Sequence, residues 1–128
     1  NAEAAKKAAE PADKFKELQK ERIATLRECA DMAAELYSKD RVETADAIEA
    51  RLLLLKAEVE VAENEAGRIK LLEDGSDDLK KLEQMAVKQI GRRAGELYLL
   101  QIKAARLGVE IELERAKANQ AQAANQAK

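Results

Sequence analysis

Apolar residues recur along this chain at alternating steps of three and four. That spacing places side chains on one face of an α-helix and builds the a/d seam of a helix–helix contact. Ile23, Leu26, Ala30, Ala33 and Tyr37 make a first seam, and Ala45, Ile48, Leu52, Leu55, Val59 and Ala62 a second. A third and poorer one runs through Ile69, Leu72, Ser76, Leu79, Leu82 or Glu83, Ala86 and Ile90. The fourth is the second displaced by 52 residues: Leu97, Leu100, Ala104, Leu107 and Ile111, with Glu114 where the pattern runs out. Three breaks, "SKDRVETAD", "AENEAGR" and "QIGRRAGE", separate the seams. The pattern predicts helices over 12–39, 44–62, 65–90 and 94–120. Thr44 is the expected N-cap of the second, with Asp46 in its first turn, and Asn64 the cap of the third, with Glu65 near its positive end. Gly91 is expected to close the third in a left-handed cap.

Tight breaks force neighbouring helices to run antiparallel. The expected fold is all-α: antiparallel helical hairpins in two repeats, about 12–62 and 65–120, within one domain of 128 residues. The two share their apolar faces as an elongated up-down-up-down four-helix bundle or coiled-coil-like assembly. The Ala-rich tails 1–11 and 117–128 bury little area, as helical extensions or as helices ordered only by a partner. "EDGSDD", Glu73–Asp78, breaks the local rule by placing a glycine among aspartates. It is read as a continuous helix with a weak point. On that reading Gly75→Ala raises stability by a few tenths to about 1 kcal/mol. A loop with positive φ at Gly75 reverses the sign.

Composition narrows the function more than it defines it. Charged residues are 38%, aromatics 2% and the net charge −2, so there is no basic stripe for nucleic acid. The sequence has no histidine, which removes the commonest general base and transition-metal ligand. No catalytic, cofactor-binding or metal-ligating set emerges, and the chain is read as non-enzymatic. Asp74, Asp77 and Asp78 do not have EF-hand spacing and read as a solvated acidic patch. Cys29 has no disulfide partner within the chain and reads as a small buried hydrophobe. Tyr37, on a seam beside a turn, reads as helix-end packing. There is no run of about 18 apolar residues to span a membrane, and no signal peptide is visible.

The leucine run points outward. Leu52–Leu55 wraps roughly 300° of a helix, and a helix that is apolar on several sides is buried on several sides. Leu52 and Leu55 lie on the seam, so either Leu53 or Leu54 is expected to face a partner. Ile102, Val109 and Leu113 lie off the fourth seam and raise the same expectation. Tyr98 flanks that seam half exposed. Arg92 and Arg93 are candidates for an anionic partner, or for pairing with nearby glutamates. These residues make up the expected interface with a protein partner, a homo-oligomer, or both.

The first hairpin carries Tyr37, then Asp40-Arg41-Val42, Asp46, Ala50-Arg51, Leu54-Leu55, Ala57-Glu58 and Glu60. The second repeats it as Arg93, Glu96-Leu97, Leu99-Leu100-Gln101, Lys103 to Leu107, Glu110 and Glu112. Over roughly residues 20 to 116 this resembles the helical hairpin of TolC-like outer-membrane efflux proteins. The resemblance implies a hairpin module of a periplasmic or other extracytoplasmic protein, with adaptors docking at the turns. The chain departs from the family in having Asp40 at the first turn glycine, Gly91 one position early in the second, and no strand-forming segment for a barrel. The expected role is a scaffold or assembly factor. The alternative is a component or fragment of a TolC-like tunnel.

Overall fold

The structure, a computed structural model, describes residues 2–39, 41–88 and 93–126; the side chains of residues 2–12, 44, 88 and 93–95 lie outside that description. It contains four helices: α1 Ala2–Ser38, α2 Thr44–Val61, α3 Glu65–Lys88 and α4 Arg93–Gln126. No strand occurs among the described residues. The Ala-rich ends are helical extensions: α1 begins at Ala2, and α4 runs to Gln126 with every described side chain from Lys117 onward exposed.

The chain breaks where polar groups can satisfy helix ends. After α1 the N–H of Arg41 donates to the Leu36 carbonyl at 2.8 Å. The residue flanking α2 is Glu43, with extended backbone and no side-chain cap, so the N-cap falls one residue before the expected Thr44, which is instead the first residue of the helix. Glu43 caps through its backbone instead, its carbonyl accepting from the N–H groups of Asp46 and Ala47. Asn64 caps α3 as expected. Its Oδ1 accepts from the Gly67 N–H at 2.8 Å, and its carbonyl accepts from the Arg68 N–H. Arg68 then reaches back to the Ala62 carbonyl at 3.2 Å, tying the end of α2 to the start of α3. Asp40 and Gly91, and with Gly91 the proposed left-handed cap, lie outside the described residues.

The helices pack as two antiparallel hairpins, α1 with α2 and α3 with α4, joined through α2. Among the described residues α1 touches only α2. In the first hairpin Ala30 packs on Ala50 and Leu54, with Ile23, Leu26 and Ala33 alongside. In the second, Leu72 and Leu79 of α3 meet Val109, Leu113 and Ala116 of α4. The second seam makes the joint: Ile48 and Leu52 pack with Ala86 and Ile102, and Leu52, Leu55 and Val59 lie against the α3–α4 core. The first seam, and the third from Ile69 to Ala86, face inward as expected, down to Ser76, which is 3% exposed; Ile90 lies outside the described residues.

α3 passes through "EDGSDD" without a break, as expected. Gly75 is buried there, and an added Cβ would sit 2.7 Å from Leu55 Cδ2. The glycine therefore gives α2 its close approach to α3.

The fourth seam is where the expectation fails. Leu97, Leu100, Leu107 and Ile111 are exposed. The buried face of α4 is instead Ile102, Val109, Leu113 and Ala116. The repeat explains the inversion. In α2 the displaced seam is the outward one that meets the next hairpin, while Ala50, Leu54 and Ala57 form its buried inner face. α4 keeps both faces, and its outward seam stands exposed among the described residues.

Candidate protein-interaction surface

At 100° per residue, the stripe Leu97–Leu100–Ala104–Leu107–Ile111 lies opposite Ile102, Val109 and Leu113 on α4. It is a complete a/d heptad pattern on the solvent side of a helix whose other side is core. Leu100 is 63% exposed. Scattered exposed leucines are ordinary, but an aligned apolar row marks a contact surface. Charged and polar residues flank it: Glu96, Lys103, Glu110 and Lys117 on one side, Gln101, Gly108 and Arg115 on the other.

Of the residues expected at an interface, the structure keeps few on the surface. Leu53 is 41% exposed and lines a shallow groove of about 360 Å³ with Ile48, Glu49, Lys56 and Gln101. Leu54, at 6%, is covered by α1 and belongs to the core. Ile102, at 0%, and Val109 are covered by α3 and α2 and are core as well. Tyr98 is half-buried. Arg92 lies outside the described residues. Arg93 opens α4, but its side chain is not described. The spacing of α4 predicts Leu97, Leu100, Leu107 and Ile111 as core, and the structure places them outward. The signal that distinguishes the two faces is the second apolar row, Ile102, Val109, Leu113 and Ala116, lying opposite the first.

A larger groove of about 830 Å³ runs between α2, α3 and α4. Leu52, Leu55, Val59, Leu72 and Val109 form its floor, and Lys56, Glu60, Arg68, Glu112 and Arg115 stand among its rim. It exists because α2 leans on the second hairpin without closing over it.

The polar chemistry is structural. Arg106, mostly buried, donates from Nε to Glu83 at 2.6 Å and from Nη1 to Glu110 at 3.0 Å. Hydrogen bonding to Glu83 first, then Glu110, holds its pKa above the ordinary arginine value. It is a fixed cation pinning α4 to α3, at the position where α2 carries Leu54. Asp74 pairs with Lys70 and Asp78 with Arg51 of α2, while Glu73 and Asp77 are exposed to solvent. Among the described residues no three His, Cys, Asp or Glu side chains gather as a metal site. Cys29 is exposed, against the expectation of a buried one, because α1 has only α2 to pack on and Cys29 points away from it. Tyr37 is half-buried at the end of α1. Among the described residues no helix is long and apolar enough to cross a membrane.

Comparison of the chain with protein-family models, with curated proteins and with solved structures yields no match.

Proposed function

We propose that this chain is a non-enzymatic helical module that binds protein, serving as a scaffold or assembly factor in an extracytoplasmic complex. The observation that carries the reading is the exposed heptad row on α4, directly opposite its buried face. The sequence supports it further by having no histidine and no glycine-rich phosphate loop. The extracytoplasmic placement rests on the resemblance to TolC-like hairpins alone. Native purification with wild-type chain and with Leu100→Lys as baits tests the module. The reading expects proteins retained by the first and lost by the second. Identical sets, or an empty wild-type set in repeated native extracts, would sink it.

A second reading is a component or fragment of a TolC-like tunnel, favoured by two antiparallel hairpins lying side by side. The complete coding sequence separates the two. Strand-forming segments flanking the hairpins support the tunnel, and a signal peptide leading directly into them supports the free-standing scaffold.

A further inference from the structure

The α4 row has a charge pattern that selects its own partner. We propose that a second copy of this chain docks on it, α4 against α4 and antiparallel, related by a two-fold axis. This rests on the reading of the chain as a protein-binding module and names the partner.

In an antiparallel pair each a position faces a d position of the other helix, and residues just before each a position meet across the flank. The residues at those flanking sites are Glu96, Lys103, Glu110 and Lys117, alternating in sign. One register sets Leu100 against Ile111 and Ala104 against Leu107, each twice by symmetry. In that register Lys103 meets Glu110 and Glu96 meets Lys117, so all flanking pairs are opposite in charge. Sliding by one heptad one way sets Lys103 against Lys103 and Glu96 against Glu110. Sliding the other way sets Glu110 against Glu110 and Lys103 against Lys117. Of these three registers only the central one avoids like charges, which is how coiled coils fix register. On the other flank Gln101 faces Gly108, and no like charges meet.

The space is there. Leu97, Leu100, Leu107 and Ile111 are all exposed. α3 covers the opposite side of α4, and α2 approaches through Ala105, about 120° from the middle of the row, while Gly108 lies on the row's own flank, where an added Cβ would meet nothing within 4 Å. Glu110 accepts through Oε1 from Arg106 and Ser76 and lies 4.0 Å from Lys80 on its core side, and its carboxylate stays partly exposed for Lys103 of the other copy.

The chain's single cysteine makes a geometric test available. In a Cys29→Ser background, Leu100→Cys and Ile111→Cys chains are made separately. Mild oxidation of either alone gives no disulfide dimer, because in the proposed register like positions lie about eleven residues apart along the helix, roughly 16 Å. Oxidation of the mixture gives a dimer linked 100 to 111. Sedimentation of the wild type shows a species of twice the 14.1 kDa chain mass, and Leu107→Lys loses it with an unchanged circular-dichroism spectrum. Self-linking of Leu100→Cys would mean a parallel pair and overturn the proposal. So would a wild type that stays monomeric up to high micromolar concentration. If the chain alone is monomeric while Leu100→Lys still loses a different protein in native purification, the module reading stands and the second-copy inference falls.

Discussion

Gly75 and Leu55 set how closely α2 approaches the second hairpin. A helix-interior glycine costs about 1 kcal/mol relative to alanine, and from the sequence alone Gly75→Ala looks stabilising. The contact with Leu55 reverses that, since a methyl 2.7 Å from Cδ2 forces the leucine out of its place. Gly75→Ala alone is therefore expected to lower stability. In a Leu55→Ala background the same change should raise it by a few tenths to about 1 kcal/mol, a sign change that a double-mutant cycle in urea will read. Asn64 offers a simpler case. Its Oδ1 is the acceptor for the Gly67 N–H, and Asn64→Ala should cost about 1 kcal/mol in the same melts. Arg106 spans Glu83 and Glu110 with little solvent around it, whereas Arg115 pairs with Glu112 in the open. Arg106→Ala should thus lower the melting temperature more than Arg115→Ala. Equal effects would show that the Arg106 network does not hold α4 to α3.

The helices themselves were legible where one apolar row dominates. α1 and α3 each have one, and Ile23 to Tyr37 and Ile69 to Ala86 face inward as their spacing requires. α2 has more apolar surface than one row, and its leucines divide among three surroundings: Leu52 and Leu55 toward the second hairpin, Leu54 under α1, Leu53 on the surface. Periodicity gave the seam but could not say which flank α1 would cover, because nothing in the spacing encodes the side from which a neighbour arrives. α4 is the sharper failure. Its inner row is interrupted by Arg106 between Ile102 and Val109, so the spacing and the repeat match to α2 both favour the outward one. What periodicity lacks is the count of neighbours: α2 sits between two helical layers and α4 at the end of them. The Ala-rich end of α4 makes its own prediction. Residues beyond Ala118 are all exposed where described, so ending the chain there should change unfolding free energy by less than about 0.5 kcal/mol. Far-UV circular dichroism should fall only in proportion to the helix removed.

At the scale of the whole molecule, the chain is one hairpin design used twice, with the joint between copies made by the outward seam of the first. The same seam in the second copy stands exposed among the described residues. Leu55 and Leu107 are equivalent positions, 52 residues apart, one half-buried in the joint and one on the open row. Denaturant unfolding of Leu55→Lys and Leu107→Lys, at dilution low enough that association contributes nothing, tests the account most directly. Leu55→Lys should lose about 3 kcal/mol, from lost burial and a charge forced into the joint, while Leu107→Lys should stay within about 0.5 kcal/mol of wild type. Comparable losses at the two positions would mean that the α4 row is core, and would contradict it.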